Sequence, residues 1–240
     1  MAFSFDTTQP TVRNVPYIPR RSKKHSNRRR VRRKDSIPEP GMAQIAFSQV
    51  NLGKRVLAMN TLNQRHSKGY FISLIQEPHT LGGKGKGKLS GLDNQHSIHK
   101  SNEQDCRSAI YAHKDIPLWL NNDLSDKDTT SCLWVTKDND LGRVMLISCY
   151  WDRFLLSPPP KLVESIEFAK RNNFRILVGM DSNAHSVLSG SDSTDARGVL
   201  LENLVLKYQL DIANRGNQAT FEITCGQILY RCHFVFSGNI

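Results

Sequence analysis

Long apolar runs are missing from this 240-residue chain: eighteen consecutive apolar residues occur nowhere, so the sequence offers no membrane-spanning helix. The opening stretch, MAFSFDTTQPTVRN, lacks the basic-then-apolar order of a secretory signal. Cysteine is sparse, and Cys106, Cys132, Cys149, Cys225 and Cys232 form neither a CxxC pair nor an even disulfide framework. Free thiols in a reducing, intracellular compartment are therefore expected. No internal repeat is visible. What remains is a length sufficient for one domain with a real core and a tail.

Negative charge is the minority, with 22 Asp and Glu against 33 Lys and Arg, a net charge of +11. The excess is concentrated at one end. Residues 1–40 hold eleven Lys and Arg against Asp6, Asp35 and Glu39, whereas the other 200 residues hold 22 against 19. The run RRSKKHSNRRRVRRK, Arg20 to Lys34, has no apolar periodicity and cannot bury enough surface to fold alone. It reads as a nuclear-import signal or a phosphate-seeking arm, with Arg28, Arg29, Arg30, Arg32 and Arg33 as nucleic-acid-binding candidates and a nuclear location expected. A solvated tail without a dedicated partner is the competing reading. The Pro- and Gly-punctuated SIPEPG, Ser36 to Gly41, closes this region as a linker, so residues 1–41 form a basic tail and linker.

Beyond the linker, strands are expected at Ala43–Val50, Gly69–Gln76, Arg107–Lys114, Thr130–Lys137, Gly142–Trp151 and Phe174–Met180, with short ones at Asp211–Asn214 and Ala219–Thr224. Helices are expected at Lys54–Ser67, at Pro158–Asn173 behind leading prolines, and at Arg197–Leu210, each with an apolar face at helical spacing. The Gly/Lys/Ser-rich stretch over roughly 80–104 reads as a mobile loop. Asp138–Gly142 reads as a hairpin connection, and Trp119 and Trp134 as core. Strands outnumber helices, with both adjacent and crossover connections, which argues for an α/β fold with mixed sheets.

Several apolar strands run directly into polar groups. QVNLG places Asn51 after the first, LIQEPH places Glu77 after the second, LISCY ends in Tyr150, and ILVGMDSNAHS leads into Asp181 and Asn183. Taken singly, these are turn, loop or packing residues, because Asp and Asn favour turns through their own backbone. Taken together, they can converge on one rim of a sheet. Oxygen donors from Glu77 and Asn51 suit a hard cation, Mg²⁺ in the first place with Mn²⁺ as an alternative. Asp181 can orient or deprotonate a water for in-line attack on phosphorus, while Asn183 and Tyr150 can donate to phosphate oxygens.

The ordered set QVNLG, QEPH, RSAIY, SCYW and GMDSNAHS, followed by ARG and ATFE, resembles the endonuclease/exonuclease/phosphatase superfamily. More narrowly, it resembles the apurinic-type endonuclease domain of non-LTR retrotransposons, over roughly Ala43 to Glu222 and within a domain drawn at 42–227. The resemblance implies a four-layer α/β/β/α sandwich of two mixed sheets. It also implies Mg²⁺-dependent hydrolysis of a DNA phosphodiester, nicking a target site whose 3′ hydroxyl primes reverse transcription. DNA is then the partner, with RNA or a reverse transcriptase domain in a full-length parent as further partners and no membrane. By motif, Asn51 and Glu77 would sit at the metal, Tyr150 would contact the scissile phosphate, Asp181 would align water and Asn183 would hold a phosphate oxygen. His185 falls in the same segment and is assigned a structural hydrogen bond rather than a chemical step. GGKGKGKLS imitates a phosphate-binding loop, but Leu89 stands where a metal-binding Ser or Thr is needed and no apolar strand feeds it, so a basic loop over DNA is preferred.

Two late family elements are not found: an Ile-Asp-Val-Thr-Leu-like strand and a terminal Ser-Asp-His. Residues 228–240 follow a different pattern. Tyr230–Val235 can be encoded as TAT CGA TGT CAC TTT GTT, which read one base later gives Ile-Asp-Val-Thr-Leu. The chain is therefore expected to be a truncated copy read out of frame from about Ile228, with its C-terminal strands missing or altered, an exposed sheet edge and impaired activity. A non-catalytic nucleic-acid binder acting through its tail is the alternative from another class. A small-molecule phosphatase of the same superfamily is a third reading.

Overall fold

Residues 70–76 and 175–181 are buried at every position but the first, which is the signature of strands covered on both faces rather than of half-wet ones. The computed structural model describes residues 2–3, 45–65, 69–81, 95–135, 142–213 and 232–237. Its strands are β1 (Ala2–Phe3), β2 (Ile45–Asn51), β3 (Tyr70–Gln76), β4 (His96–His99), β5 (Ser108–His113), β6 (Leu118–Leu120), β7 (Thr129–Val135), β8 (Arg143–Tyr150), β9 (Arg175–Asp181), β10 (Asp211–Ile212) and β11 (Cys232–Ser237). The helices are α1 (Val56–Arg65), α2 (Pro160–Arg171) and α3 (Ala196–Tyr208). One sheet has the order β1-β2-β3-β5-β4 and the other β10-β11-β9-β8-β7-β6. Both are mixed, because β2/β3 and β8/β9 are parallel while the other pairs are antiparallel.

Side-chain alternation builds the layers. From β3, Phe71 and Ile75 pack with Met59 and Leu62 of α1, whereas Ile72 and Leu74 join Val144, Leu146 and Leu177 of the other sheet. From β8 and β9, Met145, Ile147, Ile176, Val178 and Met180 pack instead with Leu162 and Ile166 of α2 and Leu201 and Leu204 of α3. The result is the expected α/β/β/α sandwich, with α1 outside one sheet and α2 and α3 outside the other. Capping agrees with the chemistry of helix ends: Asp195 accepts the Gly198 N–H at 2.6 Å to start α3, and Gln209 stops it in the left-handed region at φ 52°.

The sheets approach closely at Gly179. A Cβ there would lie 2.7 Å from the Leu74 Cβ and 2.8 Å from the Gln49 Cγ, so glycine in the middle of β9 serves packing.

Three expectations are corrected. Trp119 is 53 % exposed, because the three-residue β6 is an edge strand and its middle side chain faces outward, while Trp134 is buried as expected. The stretch expected to be loop contains β4, which pairs antiparallel with β5. The sheet edge expected to lie open beside β9 is filled by β11, in register from Cys232 opposite Asp181 to Ser237 opposite Ile176. Altered, rather than missing, is the state of that strand. The ATFEIT strand, the glycine-rich 82–90 segment and most of residues 1–41 lie outside the described residues. Among the described residues, no helix is long and apolar enough to cross a membrane.

Replacing Gly179 by alanine should overpack the inter-sheet core and cost about 1–3 kcal/mol. The urea midpoint of the variant, measured against wild type, checks this; an unchanged midpoint would show that the sheets separate freely here.

Candidate active site

Parallel pairing places strand ends side by side. Asn51 and Gln76 are register partners at the ends of β2 and β3, and Glu77 follows directly. Tyr150 and Asp181 are register partners at the ends of β8 and β9 in the facing sheet. Across the gap the Asn51 Nδ2 donates to the Asp181 Oδ2 at 2.5 Å, joining residues 130 positions apart. The five residues read from separate motifs therefore gather at one rim.

A buried polar bridge lies beneath that rim. Gln76, fully buried, donates from Nε2 to the Ser148 Oγ at 3.0 Å and to the Gly179 carbonyl at 2.9 Å, and its Oε1 accepts from the Gln49 Nε2. Ser148 in turn donates to the Ile75 carbonyl at 2.7 Å. Each group is satisfied, so the bridge fixes how the sheets meet without leaving an orphaned polar atom in the core.

Asp181 is 5 % exposed, and its Oδ1 accepts the Asn183 backbone N–H at 3.1 Å. Burial pushes its carboxyl above the usual range, against the opposing pull of the Asn51 and Asn183 donors. Tyr150 is half-buried; burial and the neighbouring Glu77 and Asp181 charges push its phenol up, while a hydrogen bond with Asn183 and the Arg107 cation pull it down. Asn183 also donates from Nδ2 to the Trp151 carbonyl at 3.1 Å.

Glu77 and Asn183 share an unusual backbone state, with φ of 48° and 47°. Asparagine tolerates that region; glutamate does so at a cost of order 1–2 kcal/mol. Both backbone groups of Glu77 are held: its N–H donates to the Arg107 carbonyl at 2.8 Å and its carbonyl accepts the Lys54 N–H at 2.7 Å. Its carboxylate makes no hydrogen bond or ion pair to the described residues. Among those residues, no group of three or more His, Cys, Asp and Glu side chains gathers to cage an ion. The available donors are a free carboxylate and the Asn51 Oδ1, which also accepts the Gly53 N–H at 2.7 Å. Such a sparse, all-oxygen set fits a hard cation that keeps most of its shell as water and substrate oxygens.

Two arginines escaped the reading of the sequence. Arg197, at the start of α3, donates to the carbonyls of Trp151 (3.1 Å), Asp152 (3.1 Å), Ser182 (2.8 Å) and Asn183 (3.0 Å), and lies 4.6 Å over the Trp151 ring. It binds the loop after Tyr150 to the turn after Asp181. Gly198 beside it lies against the His185 carbonyl, which a Cβ would meet at 1.8 Å. That same carbonyl accepts the Asp195 N–H at 3.0 Å. Arg107 pairs with Asp128 and Asp152. ARG and RSAIY carried these residues within the resemblance, but no local pattern marked their function. Arg28, Arg29, Arg30, Arg32 and Arg33 lie outside the described residues.

The raised Asp181 carboxyl has a signed consequence. The folded state holds this proton to higher pH than the unfolded state does, so stability falls as pH rises from the ordinary carboxylate range through the folded value. Asp181→Asn removes that titration. Relative to the variant, wild type should lose stability as pH rises above the ordinary carboxylate range, and urea midpoints measured across a pH series check it; parallel curves would mean that Asp181 is not desolvated.

Comparison with known proteins gives an independent reading of this geometry. Residues 144–229 match the family described as endonuclease-reverse transcriptase. The structure superposes on the endonuclease domain of TRAS1, a telomere-specific non-LTR retrotransposon, with a TM-score of 0.62 and 24 % identity, covering 78 % of this chain and 82 % of that one. It also superposes on the Xenopus laevis APE2 catalytic domain with a TM-score of 0.50 and 12 % identity, covering 80 % and 81 % of the two chains. No curated protein matches the sequence. The resemblance read from the strand-end motifs is borne out: residues 144–229 carry the endonuclease-reverse transcriptase family pattern, and the chain has the fold of a non-LTR retrotransposon endonuclease domain.

Proposed function

We propose that this chain is a divalent-metal-dependent endonuclease domain acting on DNA phosphodiesters, of the kind that nicks a target site for a retrotransposon. The observation that carries the reading is the Asn51–Asp181 hydrogen bond, which draws the metal-donor side of one sheet and the water-activating side of the other to a single rim. Glu77 and the Asn51 Oδ1 are the residues for Mg²⁺, or Mn²⁺. When bound, the ion supplies positive charge to phosphate oxygens as negative charge builds on them.

The chain's own groups suit the remaining roles. Burial makes Asp181 a stronger proton acceptor than an ordinary carboxylate, and its two oxygens are oriented by Asn51 and the Asn183 N–H, so it is poised to align and deprotonate a water. The same burial keeps the Tyr150 hydroxyl protonated and able to donate to a phosphate oxygen. Asn183, with one amide bond already made to the Trp151 carbonyl, is held in place to donate from the same rim. The basic run 20–34 supplies salt-sensitive affinity for DNA and the basis for expecting a nuclear location, while the family likeness of residues 144–229 is the basis for RNA or a reverse transcriptase domain as further partners.

Supercoiled plasmid incubated with excess protein and Mg²⁺ should convert to open circle, and EDTA should stop the conversion. Glu77→Gln and Asp181→Asn should each slow nicking by about 10²–10³; nicking that ignores both substitutions rejects the site. Removing residues 1–41 should weaken DNA binding and flatten its dependence on salt, as measured by fluorescence anisotropy. Binding without nicking, lost with those residues, would favour the non-catalytic binder.

A further inference from the structure

Arg107 stands immediately before β5, Asp128 immediately before β7, and Asp152 two residues after the end of β8. Their loops meet beside Tyr150. The guanidinium forks onto Asp128, Nε to Oδ1 at 2.5 Å and Nη2 to Oδ2 at 2.7 Å, and its Nη1 reaches the Asp152 Oδ2 at 2.5 Å. Its face lies 4.8 Å over the Tyr150 ring. Main-chain bonds join the same segments: the Tyr150 N–H donates to the Asp128 carbonyl at 2.8 Å, and the Glu77 N–H donates to the Arg107 carbonyl at 2.8 Å.

We infer that Arg107 is a positioning residue for phosphodiester cleavage, holding the Tyr150 ring so that its hydroxyl stays beside Asn183, rather than a ligand of the phosphate. The inference rests on the proposed nuclease reading. Two carboxylates already surround this one cation, so its charge is spent within the protein and little is left to offer an anion. Asp128 is buried at 6 % exposure, which favours the fixed fork over a free cation at the rim. The edges of the guanidinium plane are fixed by two carboxylates, so its face presents one orientation to the phenol. A lysine keeps the charge but loses both the planar fork and the stacked face. The backbone carbonyl of Arg107 serves Glu77 whatever the side chain, so substitution separates the Tyr150 function from support of the metal-donor loop.

The test uses the full chain and three readouts. In the Mg²⁺ nicking assay, Arg107→Lys should lower kcat by about tenfold or more and leave KM for plasmid within about threefold. Within a Tyr150→Phe background, the same substitution should cost less than about threefold, because the hydroxyl it positions is gone. The salt dependence of DNA binding should be unchanged, whereas a phosphate-binding arginine would reduce it. For a readout independent of activity, the protein is labelled with fluorotyrosine, and the Tyr150 fluorine signal is assigned by its loss in Tyr150→Phe. Arg107→Lys should move that signal and leave the other tyrosine signals in place. Should Arg107→Lys fail to fold, Asp152→Asn removes one arm of the network and should shift the same signal in the same sense by less. Additive losses with Tyr150→Phe, a flattened salt dependence, or an unmoved Tyr150 signal each overturn the inference. If wild type does not nick at all, the nuclease reading fails, and the fluorine signal alone decides whether Arg107 places Tyr150.

Discussion

Everything at the rim depends on how closely β3 and β9 can approach. Two facing sheets ordinarily pack about 10 Å apart, with side chains filling the gap. Here Gly179 contributes no side chain, Leu74 and Gln49 take the space its Cβ would need, and the Gln76 amide bonds the Gly179 carbonyl at 2.9 Å and the Ser148 hydroxyl at 3.0 Å. Level with Gln76 on the neighbouring β2, Asn51 reaches Asp181, two residues beyond Gly179, at 2.5 Å. An apolar residue in place of Gln76 would leave the Gly179 carbonyl without its side-chain donor, and a larger residue at 179 would push Leu74 away. The polar bridge and the missing Cβ are two halves of one packing solution, and the site sits on top of it.

That solution also accounts for the electrostatics. Close approach excludes water from Asp181, which raises its proton affinity, while the two N–H donors that orient it keep the ionised form accessible. Tyr150 lies between a carboxylate side, Glu77 and Asp181, and a cation side, Arg107. The strained glutamate is consistent with the same logic. Its positive φ persists because both of its backbone groups are bonded by neighbouring loops, leaving at the rim a carboxylate with no hydrogen bond to the described residues.

Much of this was legible in the sequence, and the reason is physical. Strands buried on both faces are written as apolar-rich runs, so β3, β5, β7, β8 and β9 were readable, and a polar residue ending an apolar-rich strand announces itself as Asn51, Glu77, Tyr150 and Asp181 did. Short edge strands carry no such run. β4 reads His-Ser-Ile-His, and β6 spans three residues with Trp119 turned outward, so neither rises above loop composition. The arginines were illegible for another reason. Arg107 finds its partners 21 and 45 residues away, and Arg197 bonds mainly to backbone carbonyls, which any sequence provides. Their function is created by the fold and leaves no local pattern.

The C-terminal strand shows the same division between what backbone and what side chains specify. The late strands were expected to be missing or altered and to leave a sheet edge exposed, yet β11 pairs with β9 over six positions. Ladder hydrogen bonds come from the main chain, and Cys-His-Phe-Val-Phe-Ser offers aromatic and β-branched residues suited to a pleated surface. The slot is thus open to a segment of adequate strand propensity, as Cys232–Ser237 is. Chemistry is less forgiving, since a carboxylate or imidazole must be supplied by identity at a given register. Cys232 is the residue opposite Asp181, where the sheet comes nearest to the rim. A fold can thus keep the architecture that gathers Asn51, Glu77, Tyr150 and Asp181 whatever residues the neighbouring β11 carries, because main-chain pairing tolerates substitutions that a position defined by its side chain does not.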